Sequence, residues 1–468
     1  MTKPLILDAD GTFLRTDMLF EAFWGGLGRA PFQTLGALRH LNDLALLKSE
    51  LARIAQIRVD LLPVNEGVLA LAREAQSEGR EVILASASDE SQVRALAAQY
   101  GLSDRVFASD GVTNLKSAAK AEALTHAFGI NGFDYAGNSK DDLAVWERAD
   151  HAIVVGDVEG APADATHIEG GYHWRGLWKA IRPHQWVKNV LLLLPMIAAH
   201  QFGWNHLLPT FLGIIAFSAA ASSIYVVNDL LDLEADRLHP TKSRRPFAAG
   251  RASIAAGMAT CLGLAAIALG LGAALNGAFF SVVCLYMLTS LAYSLKLKRM
   301  RWVDIATLAG LYTIRVVAGA AAGEVGASVY MLVFIFPVFI ALGCVKRLTE
   351  LSLATTDARL PGRGYGRTDR GDLLNVAGLG VFGALLIFFL YSVSAQGRAL
   401  YPDTWLMWLA LIPMGFWLIR MVVLGYYGKQ DYDPIVFALK DKLGLGIIMI
   451  TLSLMFWAAG IWADWFGG

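Results

Sequence analysis

Nine mostly apolar stretches, each roughly 16–23 residues long, occupy the C-terminal part of this 468-residue chain. A helix of about 20 apolar residues crosses the hydrocarbon core of a bilayer. The stretches are centred near Leu194, Phe217, Leu264, Tyr286, Leu311, Ile335, Leu385, Leu411 and Leu454. We therefore expect residues 186–468 to form an all-α, polytopic membrane bundle of about nine transmembrane helices.

The N-terminal part of the chain differs in charge. Residues 1–171 contain 15 Lys+Arg and 25 Asp+Glu, a net charge of −10, whereas residues 172–468 contain 25 and 15, a net charge of +10. This division predicts an acidic soluble domain over residues 1–165. A linker and an interfacial helix should follow at 166–185, where two tryptophans alternate with basic residues.

Basic residues are concentrated in every second connection between the apolar stretches, beginning before the first one. Because positively charged loops stay in the cytoplasm, we expect a multi-pass protein of the cytoplasmic (inner) membrane. Its N-terminal domain should be cytoplasmic and its C-terminus should lie on the opposite side. The N-terminus also lacks the long apolar core of a signal peptide. No nucleic-acid motif occurs, so we expect no nucleic-acid partner, and the oligomeric state stays open.

The segment NDLLDLEADRLHPTKSRRPFAAG (228–250) places acids and bases between two apolar stretches. Its oxygen-bearing candidates are Asn228, Asp229, Asp232 and Asp236. Spaced three and four apart, they would share one helix face, where like charges repel unless a cation binds them. Hard oxygen ligands suit Mg²⁺, and Lys242 and Arg245 could then hold phosphate oxygens. The alternative is a solvated acidic helix end.

A second polar cluster, YSLKLKRMRWVDI (293–305), lies at another predicted cytoplasmic helix end. Its candidates are Tyr293, Lys296, Lys298 and Asp304. One acid among several bases suits phosphate binding, with Asp304 as a further candidate metal ligand. Within the fifth apolar stretch, Arg315 is costly to bury. It would meet a lipid phosphate, or pair with Glu324 or Glu350.

Residues 175–468, with these motifs, resemble the UbiA superfamily of intramembrane prenyltransferases. Members are nine-helix bundles in which two aspartate-rich cytoplasmic motifs hold Mg²⁺ and pyrophosphate. More narrowly, RPHQWVKN (182–189), the HPTK run, the second cluster and KRLTEL (346–351) resemble the branch that makes polyprenyl-phosphate phosphoribose. This resemblance implies phosphoribosyl pyrophosphate as the soluble substrate and a polyprenyl phosphate as the lipid acceptor. It implies catalytic roles for Asp232 and Asp236, with Lys188 among the phosphate-binding residues.

In the N-terminal part, apolar runs that read as strands alternate with helical stretches, which predicts a parallel, Rossmann-like α/β sheet. Polar residues follow these runs in LILDADGT (5–12), EVILASAS (81–88) and FDYAGNSKDD (133–142), and Lys120 begins a helix. Such residues meet at the carboxyl edge of a parallel sheet. Carboxylates, a hydroxyl group and a lysine in this combination are typical of a phosphotransfer site.

This ordered set resembles the haloacid dehalogenase (HAD) superfamily, in the phosphoserine-phosphatase-like branch with a helical cap. The resemblance implies that Asp8 is the nucleophile and Asp10 the general acid/base. Ser86 and Lys120 would bind the phosphoryl group, with Lys116 as a second candidate for the lysine. The implied Mg²⁺ ligands are Asp8, Asp10, Asn138 and Asp142. Asn138 stands where the family usually has Asp, so a degenerate, regulatory domain is the alternative.

The leading hypothesis is a bifunctional, Mg²⁺-dependent membrane enzyme. Its bundle would transfer 5-phosphoribose to a polyprenyl phosphate, and its HAD-like domain would dephosphorylate the lipid-linked product. The first alternative is an aromatic, quinone-type prenyltransferase that uses a prenyl diphosphate, with a separate or regulatory role for the HAD-like domain. A transporter or lipid-binding protein with an attached regulatory phosphatase is the second alternative.

Overall fold

The computed structural model describes residues 2–354, 359, 364–430 and 433–466, without the side chain of Phe466. The chain forms two compact units. One consists of Met1–Arg182 and Tyr225–Leu262, and the other of Pro183–Ile224 and Gly263–Gly468. The segment Tyr225–Leu262, which carries the acidic motif, therefore packs with the N-terminal domain.

A six-stranded, all-parallel sheet forms the centre of the first unit, in the order β3-β2-β1-β4-β5-β6. Its strands are β1 (Leu5–Leu7), β2 (Val82–Asp89), β3 (Val106–Ser109), β4 (Asp134–Gly137), β5 (His151–Val155) and β6 (Thr166–Ile168). The predicted parallel α/β sheet is confirmed. Strand β6 lies beyond residue 165, so the sheet extends into the segment predicted to be a linker.

Side chains of β1 alternate between two cores, as the two-residue period of a strand requires. Leu5 and Leu7 pack into one cluster, with Met18, Val68 and Val93. Ile6 packs into the other cluster on the opposite face of the sheet. All three β1 side chains are buried, which places the following residue, Asp8, at the carboxyl edge of a central strand.

Helices surround this sheet. They are α1 (Met18–Arg29), α2 (Pro31–Ala37), α3 (Leu44–Ala55), α4 (Glu66–Ser77), α5 (Glu90–Tyr100), α6 (Ala118–Phe128), α7 (Leu143–Trp146) and α8 (Trp174–Ala180). The first three, α1 to α3, lie between β1 and β2 and form the part that we call the cap. Asp17 precedes α1, and its side chain accepts hydrogen bonds from the backbone N–H groups of Leu19 and Phe20. Helices therefore lie between β1 and β2, where the helical cap was expected.

The remaining helices include the long apolar ones. They are α9 (Leu194–Ala198), α10 (Trp204–Leu231), α11 (Leu233–Leu238), α12 (Ile254–Leu275), α13 (Gly277–Leu295), α14 (Val303–Ala322), α15 (Val329–Ser352), α16 (Arg370–Val393), α17 (Ala395–Leu400), α18 (Thr404–Tyr426), α19 (Pro434–Lys440), α20 (Lys442–Ala458) and α21 (Ile461–Phe466). Among the described residues, seven helices are long and apolar enough to cross a membrane. This is a multi-pass membrane protein.

The predicted count of nine spans is not confirmed, because the first and last stretches form shorter helices. The first is a 3₁₀ run, Pro183–Leu193, followed by the five-residue α9. Pro195 at the start of α9 has no N–H to donate to the preceding turn. The last, α20, has 17 residues and is followed by Gly460 at φ +76°, a conformation that favours helix termination.

Candidate functional site

The acidic motif lies where α10 ends and α11 begins. Asp232 separates the two helices, yet its N–H donates to the carbonyl of Asn228 at 3.1 Å, and the N–H of Asp236 donates to the carbonyl of Asp232 at 2.7 Å. Helical spacing therefore continues through the break. Asp229 and Asp236 are only 2% and 3% exposed, whereas Asp232 is half-buried.

Arginines neutralise the buried acids of this motif. Arg245 Nη1 lies 3.0 Å from Asp229 Oδ1 and 2.7 Å from Asp236 Oδ2. Arg182 also donates to Asp229 Oδ1. Burial raises the pKa of the Asp236 carboxyl to about 6, and the charge of Arg245 offsets only part of that rise. The structure thus brings Asp229, Asp236 and Arg245 together.

One carboxylate oxygen in the motif is left without a hydrogen bond from any described residue. Among the described residues, the buried Oδ2 atom of Asp229 has no hydrogen-bond partner, which is costly for a carboxylate oxygen shielded from water. No group of three or more His, Cys, Asp or Glu in the described part of the chain has the arrangement of a metal site. The donor types nevertheless fit Mg²⁺. Metal binding by Asn228, Asp229, Asp232 and Asp236 stays a prediction.

Helix α11 is attached to helix α1 of the cap by a buried ion pair. Arg237 donates to Glu21, with Nη1 3.1 Å from Oε2, and its Nε donates to the carbonyl of Ala248 at 3.1 Å. Glu21 also accepts a 2.6 Å hydrogen bond from Thr16. Both charged side chains are buried. The acidic motif is therefore supported by the N-terminal domain.

The second cluster is organised by a buried arginine. Asp304 Oδ2 lies 2.6 Å from Arg347 Nε, and its Oδ1 accepts from Arg347 Nη2 at 2.9 Å and from Tyr293 at 2.8 Å. Arg347 also pairs with Glu350. Of the two lysines, Lys298 is buried and Lys296 is exposed. Both oxygens of Asp304 are engaged, so a metal-binding role for Asp304 stays a prediction.

Lys188 lies in a buried cluster that the sequence did not indicate as a unit. It pairs with Asp433, and Lys346 Nζ lies 3.9 Å from the same Asp433 oxygen. The ammonium group of Lys188 also lies 6.0 Å from the centre of the Tyr312 ring. Within this cluster, two lysines share one carboxylate.

Arg315 contacts polar atoms and aromatic rings within the bundle. Its Nε donates to Asn189 at 3.2 Å, and its Nη2 donates to Tyr286 at 3.1 Å. The guanidinium also lies 5.0–5.5 Å from the ring centres of Phe217, Tyr286 and Tyr312, a geometry that stabilises buried cations. Of the predicted carboxylate partners, Glu350 is bound by Arg347.

An apolar cavity of about 390 Å³ lies among α9, α15, α18 and α20. Its walls are almost entirely hydrocarbon and aromatic, and include Leu191, Phe334, Phe339, Trp417, Met455 and Phe456. Such walls match the chemistry of a hydrocarbon ligand.

In the α/β domain, Asp10 and Ser86 contact each other as predicted. Ser86 donates to Asp10 Oδ2 at 2.9 Å, Ser88 donates to the same oxygen at 2.6 Å, and the N–H of Met18 donates to Oδ1 at 2.8 Å. Strand β2 continues to Asp89, so Ser86 is inside the strand and not at its end. Ser88, a partner of Asp10 that sequence reasoning missed, shares its face of the strand.

Asp8 and Lys120 also meet at the carboxyl edge of the sheet. Lys120 Nζ lies 2.7 Å from Asp8 Oδ1 and 3.5 Å from Asp142 Oδ1, and Tyr135 donates to Asp142 at 2.7 Å. Burial raises the pKa of Asp8 to about 7, although Lys120 opposes the rise. Lys116, the second candidate, instead pairs with Asp141 at 3.0 Å and is half-exposed.

The residues proposed for Mg²⁺ in this domain divide into two groups. Thr12 donates to Asn138 Oδ1 at 3.1 Å and lies 3.4 Å from Asp8 Oδ2, so Asn138 reaches the Asp8 loop. Asp142 Oδ2 instead accepts from the N–H groups of Asn138 and Ser139 at 3.1 Å each. Asn138 therefore lies beside the Asp8 loop, whereas Asp142 contacts the Asn138 loop and Lys120; cation binding by Asp8, Asp10, Asn138 and Asp142 stays a prediction.

Several partners of the candidate residues were not singled out from the sequence. They are Arg182, Arg237, Arg347, Lys346, Asp433 and Lys48. Arg347 and Lys346 belong to KRLTEL at a predicted helix end, and Arg182 begins RPHQWVKN. Lys48 lies in the cap and donates to the carbonyl of Ala87 and to Asn114. These partners were missed because basic residues at helix ends were interpreted as signals for membrane orientation. Their carboxylate partners are also distant in sequence.

Comparisons with known proteins agree with the membrane part of this arrangement. The model of the UbiA prenyltransferase family matches residues 189–359. A protein of Sinorhizobium fredii, "Uncharacterized protein y4nM", is 35% identical over 471 residues, covering 97% of this chain and 90% of that protein. The similarity to this relative therefore extends over both parts of the chain.

Two shorter relatives match over most of their own length. "Nodulation protein NoeC" of Azorhizobium caulinodans is 33% identical, covering 59% of this chain and 92% of that protein. "Decaprenyl-phosphate phosphoribosyltransferase" of Mycobacterium tuberculosis is 32% identical, covering 62% and 93%. A solved UbiA homolog from Archaeoglobus fulgidus bound to GPP and Mg²⁺ aligns over 60% of this chain and 99% of its own, with 15% identity and a TM-score of 0.45, too low to support an argument. From the family model and the three sequence relatives, the chain belongs to the UbiA prenyltransferase family.

Proposed function

We propose that the membrane part transfers 5-phosphoribose from phosphoribosyl pyrophosphate to a polyprenyl phosphate in a Mg²⁺-dependent reaction. The observation that carries this proposal is the buried acidic motif, in which Asp229 and Asp236 share Arg245 and one Asp229 oxygen lacks a hydrogen-bond partner. The choice of donor and acceptor rests on the relatives named decaprenyl-phosphate phosphoribosyltransferase. Family membership alone leaves the transferred group open.

The proposed reaction is a displacement at the anomeric carbon of ribose. An oxygen of the lipid phosphate forms the new C–O bond as the bond to pyrophosphate breaks. The nucleophile is already an anion, so the protein mainly positions the reactants and stabilises charge. Lys242 and Arg245 would hold phosphate oxygens of the donor. A bound Mg²⁺ would neutralise charge on the departing pyrophosphate.

The apolar cavity of the second unit supports a lipid acceptor. Its walls offer hydrocarbon and aromatic contacts to isoprenoid units, and its volume of about 390 Å³ accommodates only part of a long polyprenyl chain. The rest of such a chain would remain in the surrounding lipid. Lys188, which shares Asp433 with Lys346, is a candidate for binding a phosphate.

Replacement of Asp232 or Asp236 by Asn should lower kcat/KM for phosphoribosyl transfer by about 100-fold or more, since each change removes a proposed metal ligand. Glu234→Gln is the matched control, because Glu234 lies between them in sequence but is half-exposed and pairs with Arg29. It should retain activity within about twofold. Transfer of label from phosphoribosyl pyrophosphate to lipid measures the effect.

The same assay should be run with a labelled prenyl diphosphate and an aromatic acceptor. Transfer from the prenyl donor, without transfer from phosphoribosyl pyrophosphate, would replace the proposed function with that of a quinone-type prenyltransferase. Full activity of Asp232→Asn and Asp236→Asn would remove the acidic motif from the mechanism.

For the N-terminal domain, we propose a HAD-type phosphatase that removes the 5′-phosphate from the lipid-linked product. Asp8 would accept the phosphoryl group while Asp10 donates a proton to the leaving hydroxyl. Water would then hydrolyse the aspartyl-phosphate and release inorganic phosphate. The contacts of Asp8 with Lys120 and of Asp10 with Ser86 support these roles. A cation held by Asp8 and Asn138 would reduce repulsion between the carboxylate and the phosphate.

The variant Asp8→Asn should therefore release inorganic phosphate from the lipid-linked product at least about 100-fold more slowly, because it lacks the nucleophile. Phosphoribosyl transfer should continue, which makes it an internal control for folding. Lys116→Ala is a second control, since Lys116 pairs with Asp141 at the surface. Equal phosphate release by wild type and Asp8→Asn would instead favour a regulatory domain.

A further inference from the structure

The cap of the N-terminal domain exposes an unusual cluster of apolar side chains. Within residues 2–171, all of which the structure describes, six large hydrophobic side chains are exposed. Four of them occur within 13 residues: Phe32 is 90% exposed, Leu35 53%, Leu41 60% and Leu44 42%. Their concentration in one segment distinguishes them from scattered surface hydrophobic residues. We call residues 31–44 the cap segment.

The local fold explains why these side chains point away from the core. On α2, Thr34 and Ala37 are buried, and Ala37 packs with α1 and α3. Phe32 and Leu35 are three residues apart and lie together on another face of the same helix. The hydrophobic core of the cap therefore forms without the side chains of Phe32 and Leu35.

The structure also places the start of this segment near the end of a membrane span. A β-carbon added to Gly28, near the end of α1, would lie 3.8 Å from the carbonyl oxygen of Leu231. Leu231 is the last residue of the apolar helix α10. The adjacent Arg29 pairs with Glu234 at 3.1 Å. Helix α2 begins two residues later, at Pro31, so the cap segment follows directly on these contacts.

Basic residues accompany the apolar ones. Arg29 is half-exposed and Arg39 is largely exposed. Their long side chains can extend along an apolar surface while the charge remains near lipid phosphates. An apolar face with a basic border is typical of segments that lie in the membrane interface. Helix α8 of the same unit, with exposed Trp174 and Trp178, has similar chemistry.

We propose that the cap segment is inserted into the headgroup region of the bilayer, with Phe32 and Leu35 among the acyl chains. The bilayer is favoured as the occupant because Gly28 and Arg29 contact residues at the end of a membrane span. An exposed apolar face beside that span meets lipid without the need for a separate protein partner.

If the proposed phosphatase function is correct, this location also identifies the class of its substrate. Lys48 of α3, in the same cap, reaches the carbonyl of Ala87 next to Ser86 and Ser88. The cap that contacts the strand carrying the Asp10 partners would thus be held against lipid headgroups. Phosphate esters attached to a membrane lipid would reach the pocket from the bilayer surface, whereas soluble esters would gain no such advantage.

A fluorescence measurement tests the membrane location without requiring activity. Full-length protein with Cys261, Cys284 and Cys344 replaced by Ala would carry Phe32→Cys, labelled with an NBD maleimide. Ile130→Cys is the matched control, because Ile130 is also an exposed apolar residue but precedes β4 at the opposite, amino edge of the sheet. Both proteins would be placed in nanodiscs of phosphatidylcholine and phosphatidylglycerol.

The emission of the probe at position 32 should be blue-shifted relative to position 130. It should also be quenched about threefold more strongly by lipids with a doxyl group on the acyl chain. Equal emission and quenching at the two positions would overturn the proposal. Blue-shifted emission without lipid quenching would also overturn it, because a protein partner would then cover the segment.

A kinetic measurement tests the consequence for the substrate. The double variant Phe32→Ser/Leu35→Ser should raise KM for the lipid-linked phosphate ester several-fold in nanodiscs, with unchanged turnover of a short, water-soluble phosphate ester. Equal KM values for wild type and variant would contradict access from the bilayer. Absence of phosphate release from wild-type protein would contradict the phosphatase function and leave the fluorescence result unaffected.

Discussion

Asp433 exemplifies how single residues are stabilised in this protein. It is buried beside Lys188 and Lys346, and its side chain accepts from the backbone N–H groups of Ile435 and Val436 at the start of α19. Burial alone would raise the pKa of its carboxyl, but the two lysines outweigh burial and lower the pKa to about 2. The ionised form is therefore the one that the folded state stabilises.

Replacement of Asp433 by Asn should lower the free energy of unfolding by about 3 kcal/mol, because it removes the charged carboxylate that two buried lysines share. Asn still caps the helix, so the change mainly removes charge. Since the folded pKa is about 2 and the reference value is 3.8, this stabilisation is complete above pH 3.8 and is lost as the pH falls through 2. The Tm difference between wild type and variant should thus be constant from pH 5 to pH 7.

Thermal unfolding in detergent across that range measures the difference. Asp403→Asn is the control, because exposed Asp403 precedes α18 without making a side-chain cap hydrogen bond. Tm values of Asp433→Asn equal to those of wild type would show that the ion pair contributes nothing to stability.

At the scale of elements, close backbone contacts determine which helices pack together. Helix α14 contacts the 3₁₀ run Pro183–Leu193 at Gly319, where a β-carbon would lie 1.9 Å from the carbonyl oxygen of Leu192. Such an approach is possible only for glycine. Gly310, on the same helix, has no atom within 4 Å of its β-carbon position in the described structure.

The variant Gly319→Ala should therefore lower the free energy of unfolding by about 1–3 kcal/mol, because the helix must move away from the 3₁₀ run. Gly310→Ala should be neutral or slightly stabilising, since Ala favours helix over Gly. Differential scanning fluorimetry of both purified variants compares them. A Tm of Gly319→Ala at or above that of Gly310→Ala would contradict the observed packing.

For the molecule as a whole, charge and hydropathy separate an acidic α/β domain from a basic membrane part. The ion pair Glu21–Arg237 shows that this separation in sequence is incomplete in the fold, because residues 225–262 pack with the N-terminal domain. The acidic motif thus belongs to the same unit as the proposed phosphatase site, although the 62 residues from 166 to 227 separate it from the predicted N-terminal domain in the chain.

Orientation in the membrane remains a prediction that labelling can test. In the protein without native cysteines, Thr2→Cys and Ala463→Cys should differ in their reaction with a membrane-impermeant maleimide applied to intact cells. Only position 463 should react, because basic loops retain the N-terminal domain in the cytoplasm. Reaction at position 2, or at both positions, would contradict the predicted topology.

The parallel sheet and several site contacts could be predicted from local patterns. Asp8 and Ser86 lie in or just after apolar strands, and the topology of parallel sheets brings such positions to one edge. Asp229 and Asp236 could be placed on one helix face by spacing. In contrast, the number of spans was not confirmed, because composition did not reveal the 3₁₀ conformation of Pro183–Leu193.

The sequence by itself determined the apolar helices, the strand-and-helix alternation, and the acid and base types of both candidate sites, because each depends on neighbouring residues and their periodicity. Tertiary structure alone decided the partners of the buried charges. Arg237 meets Glu21 across 216 positions, and Lys188 meets Asp433 across 245. Such pairs depend on which surfaces exclude water together, a property of the packed chain that no local stretch contains.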